Sequence, residues 1–176
     1  MTHSLFSNSD TNTTTQVDSE LYRQLMRSFP SGVHIATTNG KAGRRGLTIS
    51  ASCSLSDSPP TILICLHRQK GANHIFIENE VFALNTLAGH HQELADIFGG
   101  RHQHSQEERF ASAEWTTLVT GAPVLKTALI TLDCQLIRSY EQATHFLLIG
   151  NVLATQYSNA ETALAYMNKK YHHLPL

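Results

Sequence analysis

Cysteine is scarce in this 176-residue chain, and the three that occur, Cys53, Cys65 and Cys134, are widely spaced with no C-x-x-C pair. That excludes a disulfide framework and a cysteine-rich zinc cluster. Charge is scarce as well: charged residues make up 15% of the chain, and the formal net charge is −1. Near-neutrality removes the electrostatic reason to expect nucleic acid or an anionic membrane as partner. Long hydrophobic runs are missing too; Thr61–Leu66 and Phe146–Ile149 are strand-sized and far short of a membrane span. Residues 1–19 contain no Lys or Arg, and 11 of the 19 are Ser, Thr or Asn. Such a stretch is neither a secretory signal nor a transit peptide. It reads as a disordered leader over residues 1–17 of a cytoplasmic protein. What is present is 41% hydrophobic residues, enough for one core over residues 18–176. A surface with so little charge fits burial against a second subunit, so an oligomer is expected.

The pattern along the chain is dominated by strands. Asp18 or Ser19 caps a helix whose apolar residues Leu21, Leu25, Met26 and Phe29 recur at helical spacing, ended by Pro30 and Gly32. Val33–Thr38 reads as a strand, Asn39-Gly40 as a turn, and Gly46–Ser54 as the returning strand. Ser56–Pro60 is a loop because two prolines continue neither helix nor sheet. A buried strand over Thr61–Leu66, a short helix over Ala72–Glu78 and a strand over Val81–Leu87 follow. A helix spans about His91–Phe98, and residues 99–113 read as an irregular polar loop or lid. Ala128–Tyr140 and His145–Gln156 form a hairpin, and Ala160–Tyr171 opens with a helical turn. Few peripheral helices and no βαβ alternation predict a mainly β domain, an antiparallel barrel with helices at its edges. No G-x-G-x-x-G follows a strand, which argues against a Rossmann fold.

Two segments carry candidate chemistry. Thr48, Ser50, Ser52 and Ser54 alternate along the expected strand behind Arg44 and Arg45, so their hydroxyls share one face. Such a row lets a flat, hydrogen-bonding ligand approach the backbone; a solvent-facing edge strand has the same pattern. His67–Lys70 is a basic stretch between a strand and a helix start, suited either to an anion or simply to solvent. The eleven histidines show no H-x-x-x-H or H-E-x-x-H spacing and no nearby carboxylates at ligand spacing, so no metal is assigned. Cys53 and Cys65 sit in apolar strands as packing residues. His145 stands alone at the head of an apolar strand.

Seven strings then fall in order over about 150 residues: RSFPSGV (27–33), RGLTISA (45–51), SLSDSPP (54–60), FALNTL (82–87), ERF (108–110), GAPVL (121–125) and the stretch from Thr144 to Gly150. Together they resemble the short-chain flavin reductases, whose fold is the FMN-binding split barrel. The closing KKYH of Lys169–His172 looks most like the reductase components of 4-hydroxyphenylacetate 3-monooxygenase-type two-component systems. The resemblance implies a homodimer that reduces FMN or FAD with NADH or NADPH and supplies reduced flavin to a monooxygenase acting on an aromatic substrate. It implies that Thr48, Ile49, Ser50, Ala51, Ser52, Cys53 and Ser54 lie along the flavin, that Arg68 and Lys70 hold its phosphate, and that Asn85 and Tyr171 lie near it. His145 matches the residue that orients the nicotinamide. The chain departs from the family pattern at Lys70, where a serine is common, and at Ala143-Thr144, where Gly-Asp is common. The histidine-rich stretch 99–105 has no assigned counterpart. A flavin carrier or redox sensor on the same fold is the alternative reading, and a metal-dependent β-barrel enzyme a third.

Overall fold

The computed structural model describes residues 13–69 and 71–176. Asp18 caps α1 (Ser19–Met26), its carboxylate accepting from the amides of Glu20 at 2.9 Å and Leu21 at 2.8 Å. After Pro30 come β1 (Ser31–Gly32), β2 (His34–Thr38) and β3 (Arg45–Ile49). Asn39-Gly40 is therefore part of a longer loop, pinned by Asn79, which accepts from Ala42 N and donates to Gly43 O, both at 2.8 Å. The strand expected over Gly46–Ser54 is two strands, because the chain leaves β3 at Ser50 and re-enters the sheet as β4 (Ser52–Asp57). β5 (Pro60–His67) returns directly, leaving only residues 58–59 of the expected loop between the two strands.

The chain continues through α2 (Ile75–Asn79), β6 (Val81–Thr86) and α3 (Gln92–Gly99). The span expected to be irregular contains α4 (Gln106–Ala111), closed at its start by a reciprocal cap: Ser105 N donates to Glu108 Oε2 at 2.7 Å and Glu108 N to Ser105 Oγ at 3.2 Å. Two short strands, β7 (Trp115–Thr117) and β8 (Pro123–Leu125), precede the long hairpin of β9 (Ile130–Gln142) and β10 (His145–Tyr157). The helical turn expected near residue 160 is instead strand: β11 (Thr162–Met167) and β12 (Lys170–Pro175) form a hairpin. Its turn residues Asn168 and Lys169 have φ of 52° and 60°, the conformation of a two-residue turn that matches strand twist.

Seven strands make one antiparallel sheet in the order β3-β2-β6-β9-β10-β5-β4. Consecutive strands β3 and β4 thus occupy opposite edges, although only Ser50 and Ala51 join them. Three Cα steps reach about 11 Å at most, so the sheet must curl until its edges nearly meet. The edges are not paired with each other, which leaves a split in the barrel wall. Ile62, Ile64 and Leu66 of β5 face inward with Phe76, Phe82, Leu84 and Leu148. β5 is therefore half-buried rather than enclosed on both faces, and Leu63, Cys65 and His67 take its other side. A second cluster, Val33, Ile35, Leu94, Phe98, Phe110 and Leu125, seats α3 and α4 beside β3. This mainly β, antiparallel, single-domain architecture agrees with the sequence expectation.

Candidate active site

The split opens into a cleft of about 550 Å³. One wall is Arg45 and Leu47–Ile49 of β3 with the Ser50-Ala51 link; the other carries Cys65 and His67 of β5 and His145 of β10. β3 is an edge strand, so its backbone groups on the side away from β2 have no strand partner and face the split. Ala51 closes one end of the link through its carbonyl, which accepts from Cys65 N at 2.9 Å. Thr48 donates its hydroxyl to Ala95 O at 2.7 Å and is thereby held against α3.

Two arginines define one end. Arg45 Nε donates to Asn73 Oδ1 at 2.7 Å, and buried Asn73 in turn donates to His67 O at 2.8 Å. Arg109, on α4, donates to the carbonyls of Phe98 and His104, both at 3.2 Å. Burial, and then the nearby Arg109 charge, pull the Arg45 pKa below its usual value. The guanidinium stays charged, so two cations share this end and an anion placed there relieves their repulsion. Gly71 has a φ of +70°, and a Cβ there would overlap Arg45 Nη2. The lining contains no Asp or Glu.

Two imidazoles mark the far side. His67 and His145 are directly opposed in the β5–β10 ladder, with ring centroids 5.1 Å apart. Gln69 N donates to His67 Nδ1 at 3.1 Å, and His145 Nδ1 lies 2.8 Å from Thr144 Oγ1. Burial raises the pKa of the neighbouring Cys65 thiol, with Cys53 adding to the effect, so Cys65 is a neutral wall residue.

Of the residues singled out in the sequence, Thr48, Ile49, Ser50, Ala51 and His145 meet in this cleft. The others lie elsewhere because the chain turns at the link. Ser52 joins half-buried His34, Oγ to Nε2 at 3.1 Å; Cys53 is exposed on β4; and Ser54 lines a separate groove against β10. Arg68 is engaged away from the cleft, paired with Glu141 at 2.6 Å and donating to Ala143 O at 3.1 Å. Lys70 lies outside the described residues. Asn85 is fully buried and its amide is saturated: it donates to Ile35 O and Thr37 Oγ1 and accepts from Leu125 N and Thr131 Oγ1. It ties strands together and touches no cleft. Tyr171 lines a smaller cavity of about 150 Å³ behind Thr48–Ser50 and donates to Asp96 Oδ1 at 2.6 Å. Burial and that carboxylate push its phenol pKa upward. Sequence reasoning missed Asn73 and Arg109 as cleft residues, and it named Arg45 and His67 only within their segments, without giving either a ligand role. Arg45 and Arg109 stood inside quoted strings, but nothing local marks two arginines 64 positions apart as neighbours.

The donor set is graded: two fixed cations, then uncharged hydroxyl and open backbone, then two imidazoles. It suits a long ligand with an anionic end and a flat polar ring, which makes this a nucleotide-type cofactor cleft on a split β-barrel. Comparisons agree. A family model described as the flavin reductase like domain matches residues 26–175. A Pantoea ananatis protein named FMN reductase (NADH) RutF is 41% identical over 158 residues, covering 90% of this chain and 82% of that protein. A Haemophilus somnus crystal structure, described as a flavin reductase by assignment, superposes with a TM-score of 0.85 at 42% identity, covering 90% and 100% of the two chains. BorF, the flavin reductase component of a bacterial two-component tryptophan halogenase, gives 0.82 at 27% identity, covering 90% and 99%. The chain belongs to the flavin reductase family. Its activity is the reduction of a flavin, FMN or FAD, by a reduced nicotinamide nucleotide.

Proposed function

We propose that this chain is an NADH-dependent FMN reductase that releases reduced flavin to a partner oxygenase acting on an aromatic substrate. The observation that carries the FMN assignment is the Arg45–Arg109 pair closing one end of the cleft, which matches a terminal phosphomonoester. The names of relatives such as the Pantoea ananatis protein support FMN and NADH, and BorF supports a two-component arrangement.

When bound, the flavin supplies a ring that accepts hydride from a nicotinamide; that chemistry belongs to the cofactors. The protein's own residues bind and orient. Arg45 and Arg109 hold the phosphate. Thr48–Ala51 offer hydroxyl and backbone hydrogen bonds along the cleft, and His145 positions the nicotinamide. Leu47, Ile49 and Cys65 present apolar surface that limits water. Hydride transfer needs no general acid or base, in keeping with a lining free of carboxylates. A grip built from two arginines and neutral groups suits a flavin that is exchanged as a substrate. The reductase reading fits better than a carrier or sensor because relatives across most of this chain carry reductase names.

The homodimer is part of the proposal. Leu153 and Tyr157 stand exposed on β10, and Ile130 opposite Tyr157 on β9 is also exposed. Apolar side chains of this size along one hairpin suit a subunit interface. The test of function is nicotinamide oxidation by purified protein with each of four cofactor pairs. Rapid oxidation of NADH that depends on added FMN is the expected result. No oxidation by protein that retains bound flavin through gel filtration moves the chain to the carrier class.

A further inference from the structure

Asp96 stands in the last turn of α3, where the helix dipole disfavours a carboxylate. Two donors from outside the helix hold it there. Tyr171 of β12 donates its hydroxyl to Oδ1 at 2.6 Å, and Arg101 pairs as a fork, Nε to Oδ1 at 3.1 Å and Nη1 to Oδ2 at 3.4 Å. The Arg101 guanidinium also lies 5.6 Å from the centre of the Tyr171 ring, so the three side chains form one cluster. The backbone joins it: Arg101 N donates to Asp96 O at 3.2 Å across Gly100, whose φ is 79°. With the Asp96 side chain only 17% exposed, solvent screens these contacts little. None of the three residues lines the cleft, but what they fix does. Phe98, Gly99 and Gly100 form cleft wall, and only residues 100–105 connect α3 to α4. The carbonyls of Phe98 and His104 accept from Arg109 Nη1 and Nε respectively, each at 3.2 Å. A guanidinium is planar and rigid, so two fixed acceptors set the direction in which the whole group points. The Asp96–Arg101 pair reaches from the helix into the middle of the stretch that carries both.

We propose that Asp96 is a positioning residue for flavin binding: together with Tyr171 and Arg101 it holds the connection between α3 and α4, so that the Phe98 and His104 carbonyls aim the Arg109 guanidinium at the flavin phosphate. The inference rests on the flavin-reductase reading and on its phosphate grip. Tyr171 then acts at a distance, its hydroxyl committed to Asp96, and the β11–β12 hairpin reaches the cleft through α3 rather than by touching a ligand. Arg45 is held independently by Asn73 and keeps its place when the cluster is broken. Loss of the cluster therefore weakens the grip without abolishing it, and only for ligands that carry the phosphate.

Quenching of flavin fluorescence gives the Kd for FMN and for riboflavin in the full chain, for the native protein, Asp96→Asn, Tyr171→Phe, Arg109→Gln and the Asp96→Asn/Arg109→Gln double variant. The expected result is FMN binding weakened about three- to ten-fold in Asp96→Asn and less in Tyr171→Phe, with riboflavin binding unchanged in both. The double variant binds FMN no more weakly than Arg109→Gln alone, because a residue that acts through another adds nothing once the other is gone. In steady-state assays the KM for FMN rises in Asp96→Asn while kcat holds. Equal losses for FMN and riboflavin would mark a merely structural role and overturn the proposal. So would additive losses in the double variant, or native FMN affinity in Asp96→Asn. If the melting curve shows that Asp96→Asn does not fold, Tyr171→Phe, which removes a single hydroxyl, decides by the same comparison. Native protein that binds FMN no better than riboflavin overturns the phosphate grip and this inference with it. Protein that prefers FMN but oxidises no nicotinamide overturns the reductase reading instead, and the binding comparison still decides the role of Asp96.

Discussion

Arg45 is where local detail and ligand chemistry meet most directly. Its Nε is tied to Asn73, and its neighbour Gly71 has no Cβ to displace it. A charge-assisted contact to phosphate is worth about 1.5–3 kcal/mol, so Arg45→Gln raises the KM for FMN by about ten- to a hundred-fold. Riboflavin, which lacks the phosphate, keeps its KM; equal loss for both flavins in steady-state assays would refute the assignment. His145→Ala acts at the opposite side, raising the KM for NADH or slowing single-turnover flavin reduction, and unchanged kinetics would remove its positioning role. A third residue-scale effect concerns pH. Burial holds His34 and His91 near a pKa of about 4, against an ordinary 6.5. His91 also accepts the Ala88 amide on Nδ1, a bond its protonation breaks. Between about pH 6.5 and 4 the unfolded chain takes up protons that these folded histidines refuse, so stability is complete above 6.5 and falls as pH drops toward 4. The slope approaches ~1.4 kcal/mol per pH unit for each histidine, and a His34→Gln variant should show a shallower decline of Tm across that range. His145 was readable from the family string around it, whereas the paired roles of Arg45 and Arg109 depend on α4 folding back over β3 and leave no local trace.

At the scale of elements, α4 shows what a sequence hides and what it displays. Its single buried residue is Phe110, too little for an apolar helical period, so hydropathy reads the segment as loop. The signal that was available is S-x-x-E, Ser105 to Glu108, whose reciprocal bonds close the helix start. α4 carries Arg109 into the cleft. Ser105→Ala should therefore cost about 1 kcal/mol of stability by chemical denaturation and also raise the KM for FMN, without touching any ligand itself. A variant with lowered stability and an unaltered KM would separate the helix from the site. β3 and β4 hid for the opposite reason. Residues 46–54 are continuously strand-compatible, and the break at Ser50-Ala51 is imposed by the need of the two halves to pair with β2 and β5. The β11–β12 turn leaves a weaker trace than a glycine turn would, since Asn168-Lys169 contains no glycine, although Asn tolerates the left-handed region the turn requires.

For the molecule as a whole, the barrel closes only where opposing strands come close. Gly150 on β10 faces Phe82 across the interior, and a Cβ there would lie 2.5 Å from the Phe82 ring. Gly150→Ala should destabilise the fold by about 1–3 kcal/mol in chemical denaturation, through overpacking rather than any effect on ligands. The mainly β class and most strand positions were legible because alternation and turn residues are local. The split was not, since it arises from strand order. That split also bears on traffic through the site. The Ser50-Ala51 link straps together two edges that are otherwise anchored in a seven-stranded sheet, so the aperture cannot widen by barrel motion beyond the reach of three Cα steps. The facing side, Phe98–Gly100 and Arg109, belongs to helices and their connection rather than to the sheet. Whatever widening ligand exchange requires therefore falls to the helical side of the cleft and not to the strapped sheet edges.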